Sequence, residues 1–216
     1  MAFSDYKSIS HVQRDFKVKY REETFLVTQD LQPPATFLEE FRFTMDSIDV
    51  YTSEASRAEA IIFPILREVY KHYHEQYSFW VQKALMVDEK LNGTPDYLIG
   101  TKSPLGKTFL ETPLVIIAEA KKNDFEQGWG QCLAELIGAQ KLNRNTSLVV
   151  YGIVTDGRWW EVGKLKEDVF TKNKESYSVD HLARLFGALH AIFQAVAASK
   201  PGRKAGKKSP VSRARA

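Results

Sequence analysis

Apolar residues recur at helical spacing in the segment "SEASRAEAIIFPILREVYKHYHEQY", which covers residues 53–77. Steps of three and four residues connect the members of one stripe: Ala55, Glu59, Ile62, Leu66, Val69 and Tyr73. This spacing predicts a long amphipathic helix. Because Glu59 is the charged member of an apolar stripe, the pattern indicates that its carboxylate points toward the interior of the fold.

Short apolar runs downstream are typical of strands. Three strand candidates follow the first helix and two more follow a second helix: "FWVQKALMV" (79–87), "DYLIGT" (96–101), "LVIIAEA" (114–120), "SLVVYGIVT" (147–155) and "RWWEVGKL" (158–165). The second helix runs from about Asp124 to Leu142, and a last helix spans about Val179 to Ala198. This order predicts an α/β layer sandwich that starts antiparallel and gains a strand after the crossover helix.

The N-terminal forty residues have a mixed pattern, with a strand candidate in "ETFLVT" (23–28) and a helix start in "PPATFLEEFR" (33–42). At 216 residues with 44% apolar content, the chain is long enough for one domain and too short for two sizeable ones. We therefore expect a single domain over residues 1–199. Its parts are an N-terminal extension (1–49), a core at about 50–165 and a C-terminal helix at about 179–198.

Composition removes several classes of site. A single cysteine, Cys132, excludes an internal disulfide, and no Cys/His cluster or histidine pattern supports a zinc site or a cysteine nucleophile. His72 and His74 diverge on a helix, which favours a solvated face over a metal pair. The chain has no run of about eighteen uncharged apolar residues and no signal-peptide pattern at its start. We therefore expect a soluble, cytoplasmic protein that does not enter a membrane.

Basic charge is concentrated at the C-terminal end. Residues 200–216, "KPGRKAGKKSPVSRARA", carry seven basic side chains and no acid. Since the whole chain has a formal charge of +3, the first 199 residues carry −4. The tail has no apolar periodicity, which predicts disorder. Two interpretations stay open: a solubilising terminus, and a nonspecific contact to a phosphate backbone.

The segment "GTKSPLGKT" (100–108) approximates a nucleotide-binding loop. Such a loop has four residues between its glycines and leads into a helix. Here five residues separate Gly100 from Gly106, and the chain continues through Pro113 into a strand. The segment is better interpreted as a hairpin connection, in which Lys102 and Lys107 could still contact phosphates.

The neighbouring segment "LVIIAEAKK" (114–122) carries the stronger candidate chemistry. Its five consecutive apolar residues are typical of a strand covered on both faces. Since side chains alternate along a strand, Glu119 and Lys121 project on the same side. A hairpin would place Asp96, at the start of the preceding strand, beside Glu119. Two carboxylates and a lysine suit a hard cation, Mg²⁺ or Mn²⁺, completed by water and substrate phosphate.

Each of these residues also has a purely structural interpretation. Asp96 follows Pro95 in good turn chemistry, and Glu119 and Lys121 could form an ion pair at a strand end. Glu59 could pair with Arg57 on the helix or be exposed by a bend in the helix. Likewise, Trp159 and Trp160 are better interpreted as strand packing than as a platform for stacking bases.

The ordered set of these features resembles the PD-(D/E)XK nuclease superfamily. Its signature would be "PD" at 95–96 and "EAK" at 119–121, each with a strand beneath it, preceded by a glutamate on a helix. The sequence is more closely similar to the N-terminal nuclease domain of type I restriction endonuclease subunits and their stand-alone relatives. Three further segments carry that similarity, which covers about residues 50–165: "SEASRAEAIIFPIL", "GWGQCLAEL" and "YGIVTDGRWWEV".

The resemblance implies a restriction-endonuclease-like α/β/α sandwich with a mixed central sheet. It implies metal binding by Asp96, Glu119 and the backbone carbonyl of Ala120. It also implies that Lys121 positions or helps to deprotonate the attacking water.

Two further roles follow from the resemblance. Glu59 would be the helical glutamate that reaches the metal, with Glu54 as its rival. Gln131 would orient the site, with Gln127 as a weaker candidate. Relatives often carry a tyrosine four residues after that glutamine, whereas this chain has Glu135.

These features predict a metal-dependent nuclease that hydrolyses phosphodiester bonds, with DNA as the expected substrate. Two alternatives stay open. The chain could be a catalytically silent module that binds nucleic acid or a partner, or a nuclease subunit that works only with a separate helicase or specificity chain. It contains no motor domain of its own, and cleavage of both strands would favour a homodimer.

Overall fold

The computed structural model describes residues 2–199. The basic tail (200–216), for which the sequence predicts disorder, lies outside the described residues. Six α-helices are present in this range: α1 (Ile9–Phe16), α2 (Ala35–Ser47), α3 (Glu54–Arg57), α4 (Phe63–Tyr70), α5 (Phe125–Asn143) and α6 (Leu182–Ala198). A π-helical segment joins α3 to α4 (Ala58–Ile62), and two 3₁₀ turns complete the helical elements (Phe3–Asp5 and Val179–His181).

Ten strands are described over the same range: β1 (Lys19–Glu23), β2 (Tyr77–Val81), β3 (Leu85–Met86), β4 (Asn92–Gly93), β5 (Tyr97–Thr101), β6 (Glu111–Ala120), β7 (Val150–Thr155), β8 (Trp159–Lys166), β9 (Val169–Asn173) and β10 (Tyr177–Ser178). Eight of them form one sheet in the order β1-β9-β8-β7-β6-β5-β2, with β10 paired to β8. β6 and β7 run parallel across the α5 crossover, β1 and β9 are also parallel, and the other pairs are antiparallel. The predicted α/β class with a mixed sheet is therefore confirmed.

Helices cover both faces of the central strands. On one face, α5 packs its Trp129, Cys132 and Leu136 side chains in one buried cluster with Ile117 of β6. On the other face, the α4 and α6 helices bury a second cluster that includes Ala118. Burial on both faces explains why β6 is continuously apolar from Leu114 to Ala118.

The first long helix differs from its prediction. Its buried positions include Arg57, Ile61, Ile65 and Val69, which follow one another at four-residue steps. Glu59 lies two residues from Arg57, which is about 200° around a helix, and it is exposed. The expectation that Glu59 points toward the interior is therefore wrong, because the buried stripe passes through Arg57 and Ile61 and not through Glu59.

Some of the other predicted elements differ from the structure. The strand expected in "ETFLVT" (23–28) lies earlier in the chain, because β1 ends at Glu23. The amides of Phe25 and Leu26, which follow it, donate to Oδ1 of Asn173. The predicted strand 79–87 is divided between β2 and β3. The predicted starts of α2 and α5 and the last helix are confirmed.

Within residues 2–199, one helical segment is long and apolar enough to cross a membrane, Val179–Ala198. Its mean hydropathy over the best window is 1.2. In the fold this segment packs Phe186, Leu189 and Ile192 into the core beneath the sheet.

Candidate functional site

The candidate site lies at one end of the sheet, where β6 and β7 end and β5 and β8 begin; we call this the site end. The β5–β6 register pairs Tyr97 with Ala118, so the next antiparallel step places Asp96 opposite Glu119. Oδ2 of Asp96 accepts a hydrogen bond from the backbone N–H of Ala120 at 2.8 Å. The structure thus brings together the two carboxylates that are 23 residues apart in the sequence.

Lys121 completes this group. Its Nζ lies 2.7 Å from Oε1 of Glu119, and only 17% of the Lys121 side chain and 2% of the Glu119 side chain are exposed. The backbone N–H of Lys121 donates to the carbonyl of Thr155 at 2.8 Å, which fixes the end of β6 against β7. Both side chains project on the α5 face, as strand alternation predicts.

Gly128 of α5 lets the helix cover this pair closely. A Cβ atom at this position would lie 2.6 Å from Cγ1 of Val154 and 3.2 Å from Cγ of Lys121. Any larger residue would push α5 away from the strand ends. The glycine therefore keeps the stem of Lys121 packed while its ammonium meets Glu119.

Burial dominates the electrostatics of the site. Desolvation and, to a smaller extent, the nearby charge of Asp96 together raise the pKa of Glu119 to about 8, although the charge of Lys121 acts to lower it. Desolvation also raises the pKa of Asp96, against the hydrogen bond from Ala120. For Lys121, desolvation acts to lower the pKa, but the charge of Glu119 and its hydrogen bond outweigh it, so the pKa is raised.

Sequence reasoning noticed Glu135 only as a departure from the family pattern and missed its place in the site. Glu135 is fully buried on α5, and its Oε1 accepts a hydrogen bond from Nε2 of Gln131 at 3.1 Å. Burial raises its pKa well above the ordinary value, and the charge of Glu119 adds to this shift. The signal in the sequence was a carboxylate on the same apolar face of α5 as Cys132 and Leu136.

Asp96, Glu119 and Glu135 form what we call the carboxyl cluster. Two oxygens in it are buried without a hydrogen-bond partner, Oε2 of Glu119 and Oε2 of Glu135. If all three groups were ionised, Lys121 would leave the cluster with a net charge of −2. Buried polar atoms left unpaired are costly, so the cluster must hold protons or receive a cation.

The donor set fits a magnesium-type cation. Within residues 2–199, no group of three or more His, Cys, Asp or Glu side chains is arranged to hold a metal. Asp96 and Glu119 supply two carboxylates, and Oε2 of Glu119 has no competing donor. Mg²⁺ is commonly held by one or two carboxylates, with water and substrate phosphate filling the other positions. The residues present therefore fit Mg²⁺ or Mn²⁺ better than a cation that needs an all-protein cage.

The two helical glutamates occupy different places. Oε2 of Glu54 accepts a hydrogen bond from the backbone N–H of Lys122 at 3.2 Å, and its charge raises the pKa of both Asp96 and Lys121. Glu59 is exposed, and its charge instead contributes to the raised pKa of the Tyr97 phenol. The structure brings Glu54 to the site end of the sheet and leaves Glu59 at its flank.

The two candidate glutamines also differ. The side chain of Gln131 is buried and contacts the carboxyl cluster through Glu135. Gln127 is only partly buried, and its backbone N–H donates to Oδ1 of Asp124 at the start of α5. Of the two, Gln131 has the direct connection to the acidic residues.

Arg57 is a second residue that sequence reasoning missed as part of the site. Its guanidinium is buried, and Nη1 donates to Oδ1 of Asn123 at 3.1 Å and to the carbonyl of Asp156 at 3.0 Å. It also pairs with the carboxylate of Asp156 at 3.8 Å. Arg57 therefore joins α3 to the chain segments that follow both β6 and β7.

Hydrogen bonds to Asp156 hold the turn between β7 and β8. Oδ1 of Asp156 accepts hydrogen bonds from the backbone N–H groups of Arg158 and Trp159, at 2.9 Å and 2.7 Å. Trp160 is fully buried, as the packing interpretation predicted, whereas 47% of Trp159 is exposed. The packing interpretation is thus right for one of the two tryptophans only.

Other candidates are structural. Gly100 lies within β5 and residues 102–110 connect β5 to β6, which confirms the hairpin interpretation of "GTKSPLGKT". Cys132 is fully buried with a pKa raised well above its ordinary value by desolvation, so it does not supply a thiolate. His72 and His74 are both exposed.

Comparison of the sequence with models of known protein families and with curated proteins finds no match.

Proposed function

We propose that this chain is a divalent-cation-dependent nuclease of the PD-(D/E)XK type, with a restriction-endonuclease-like α/β/α fold, that hydrolyses phosphodiester bonds in DNA. One observation carries the proposal: Asp96, Glu119 and Lys121 meet at the end of a central strand, with Glu119 buried and one of its oxygens unpartnered. Buried carboxyl groups with raised pKa values, such as Asp96 and Glu119, are enriched at functional sites.

The fold supports the same proposal. The order of a hairpin (β5–β6), a crossover helix (α5) and a parallel strand (β7) places the signature residues at one end of the sheet. The side chain of Gln131 comes from that crossover helix. Because one fold can host many functions, the residues of the site support the proposal more strongly than the architecture does.

In this proposal Asp96 and Glu119 would hold the cation, together with the carbonyl of Ala120. When bound, Mg²⁺ or Mn²⁺ would polarise the phosphoryl oxygen and lower the pKa of a bound water. Lys121 places a positive charge beside the same carboxylate, where it can align the attacking water and stabilise negative charge that develops on the phosphoryl group. Glu119 orients Lys121 through their 2.7 Å contact.

The remaining residues act on these groups indirectly. Glu54 adds negative charge near Asp96 and Lys121. Gln131 and Glu135 form a buried hydrogen-bonded pair behind the cluster. We propose that both serve as positioning residues.

The experiment is metal-dependent digestion of supercoiled plasmid and linear duplex, side by side, with Mg²⁺, Mn²⁺ or EDTA. We expect cleavage only with a cation, and loss of cleavage in Asp96→Asn, Glu119→Gln and Lys121→Met. Nicking of circles would establish endonuclease action, and loss of only the linear form would establish dependence on ends. Glu39→Gln is the matched control, because Glu39 is exposed on α2 and carries the same type of substitution.

Two outcomes would contradict the proposal. Equal activity in the wild type and in the three site variants would identify a contaminating nuclease. A wild-type protein that binds no divalent cation, even with DNA present, would overturn the assignment. Binding of DNA and cation without hydrolysis would instead favour the silent module or a subunit that requires a separate helicase or specificity chain.

A further inference from the structure

An exposed tryptophan lies beside the candidate site. Trp159 begins β8, and its side chain belongs to the opposite face from the buried Trp160. The next residue but one, Glu161, shares its face and accepts a hydrogen bond from the indole N–H of Trp129 on α5. Trp159 therefore projects on the α5 face, the same face as Glu119 and Lys121.

The strand register brings Trp159 level with Lys121. Ala120 pairs with Thr155, and Thr155 pairs with Trp160. One residue further toward the site end, the same register places Lys121 beside Asp156 and Asp156 beside Trp159. The hydrogen bond from the backbone N–H of Asp156 to the Trp159 carbonyl agrees with this placement. Since neighbouring strands lie about 4.8 Å apart, the Lys121 and Trp159 backbones are about 10 Å apart.

The backbone beneath the exposed indole is held from several sides. The side chain of Asp156 accepts the Trp159 N–H, and the hydroxyl of Thr155 donates to the Trp159 carbonyl at 2.8 Å. Arg158 forms a salt bridge with Asp180 at 3.2 Å. Ser178 of β10 is the antiparallel strand partner of Trp159. The ring is thus presented to solvent from a fixed support, which reduces the entropy lost when a ligand stacks on it.

We propose that Trp159 stacks on a nucleobase next to the phosphodiester that is cut, so that the preferred substrate is single-stranded or locally unpaired DNA. This inference rests on the proposed function and specifies its substrate class. Aromatic rings bind bases of any sequence through the face of the base. In a duplex those faces are covered by neighbouring base pairs, so an indole at this distance from Lys121 can reach one only where the strand is unpaired.

The test is equilibrium binding in EDTA, where no cleavage occurs, with a fluorescein-labelled oligothymidylate and a duplex of the same length. Trp159→Ala should lose the stacking of one base. Its affinity for the oligothymidylate should therefore be weaker than that of the wild type on the order of 5- to 150-fold. Binding of the duplex should change much less. Trp159→Phe should restore most of the affinity, since it retains an aromatic face.

Phe43→Ala is the matched control, because Phe43 is an exposed aromatic residue on α2, 69% exposed and outside the site. It should leave both affinities unchanged. Intrinsic fluorescence gives a second readout. Trp129 and Trp160 are buried and Trp80 is partly buried on β2, so quenching by the oligothymidylate should decrease in Trp159→Phe. Thermal melts of each variant check that the fold persists.

Wild-type affinity in Trp159→Ala, or an equal loss for single strand and duplex, would overturn the inference. So would quenching of undiminished amplitude in Trp159→Phe, or no binding of oligothymidylate by the wild type. Failure of the proposed nuclease gives a different result, since Trp159-dependent binding of single strands without hydrolysis would leave the stacking role intact. Hydrolysis that is indifferent to Trp159 would remove only the stacking role.

Discussion

The ammonium of Lys121 lies 2.7 Å from Oε1 of Glu119, two residues earlier on the same strand, and only 2% of the Glu119 side chain is exposed. Lys121 is therefore the nearest compensation for a buried negative charge. A cation that bound Glu119 would compete with Lys121 for that charge. Substitution of Lys121 and substitution of Glu119 should consequently have opposite effects on cation binding.

Lys121→Met should retain cation binding or tighten it, because a nearby positive charge disappears and no ligand is lost. Its rate of hydrolysis should fall by about 10²–10³. Glu119→Gln should lose cation binding while leaving the cation-free protein as stable as the wild type or more stable. Calorimetric Mg²⁺ titration and thermal melts of both variants check this. If Lys121→Met instead unfolds more easily and no protein binds Mg²⁺, the pair is a structural ion pair only.

The stability of the cation-free protein should fall as pH rises through neutrality. The pKa of Glu119 in the fold is about 8, against an ordinary value of 4.5, so between these values the native state binds more protons than the unfolded state. Stability then decreases with pH across this window and is fully present only below about 4.5. Denaturant unfolding in EDTA at pH 6.5, 7.5 and 8.5 measures the slope.

His190 acts on the stability in the opposite direction to Glu119. Burial lowers the pKa of His190 to about 4, so its contribution to stability increases as pH rises through its ordinary value of 6.5. This opposing effect is confined to the lower end of the measured range, because His190 is neutral in both states well above pH 6.5. Mg²⁺ should flatten the slope, because it binds the ionised cluster. A stability that rises with pH from 6.5 to 8.5 would contradict the electrostatic description of the site.

Glu135→Gln should stabilise the cation-free protein at pH 8, on the order of 1–3 kcal/mol, because it replaces a buried carboxyl that resists ionisation with a neutral group of the same shape. The negative field on the cation decreases as well, so Mg²⁺ affinity should weaken by about tenfold. Denaturant unfolding and Mg²⁺ titration test both effects, with Glu39→Gln as the control for the same substitution at an exposed position. A strongly destabilised Glu135→Gln would show that the carboxyl group forms a required contact.

Glu54→Gln should reduce both Mg²⁺ affinity and the rate of hydrolysis, whereas Glu59→Gln should change them little. The reason is position: the charge of Glu54 acts on Asp96 and Lys121, while Glu59 acts on the phenol of Tyr97. Rates at limiting and saturating Mg²⁺ separate loss of affinity from loss of turnover. The opposite ranking of the two variants would return the helical role to Glu59.

Arg57→Lys should lower the free energy of unfolding by about 2–4 kcal/mol, because a lysine cannot reach Asn123 and Asp156 with the same fork of donors. Arg158→Lys is the matched control. It alters an exposed ion pair with Asp180, which is worth less than about 1 kcal/mol. Similar small losses in both variants would show that the buried guanidinium is not a structural connection.

The sequence predicted the parts of the site that depend on local order along the chain. Alternation in β6 places Glu119 and Lys121 on one face, and a hairpin with matched strands brings Asp96 beside them. The crossover helix and the following strand have clear apolar periods. These features need only a few neighbouring residues to be recognised.

The features that were missed depend on contacts between distant segments. Arg57 is buried, and a carbonyl 99 residues away accepts its hydrogen bond, so the local sequence gives no sign of its burial. Glu59 was placed on the buried stripe because it is spaced regularly with Ile62 and Leu66, whereas the structure buries Arg57 and Ile61 instead. The parallel pairing of β1 with β9 joins segments about 150 residues apart, and a strand of charged residues such as "KYREE" gives no local sign of it.

The π-helical segment Ala58–Ile62 lies between α3, which carries Glu54 and Arg57, and α4, which packs in the core. A π turn accommodates an extra residue, and each residue of an α-helix turns the chain by about 100°. A segment one residue shorter would change the angle between α4 and the preceding turn, which carries Glu54 and Arg57. The length of this segment thus sets the direction from which Glu54 and Arg57 approach the strand ends, while its Ile61 and Ile62 side chains pack in the core.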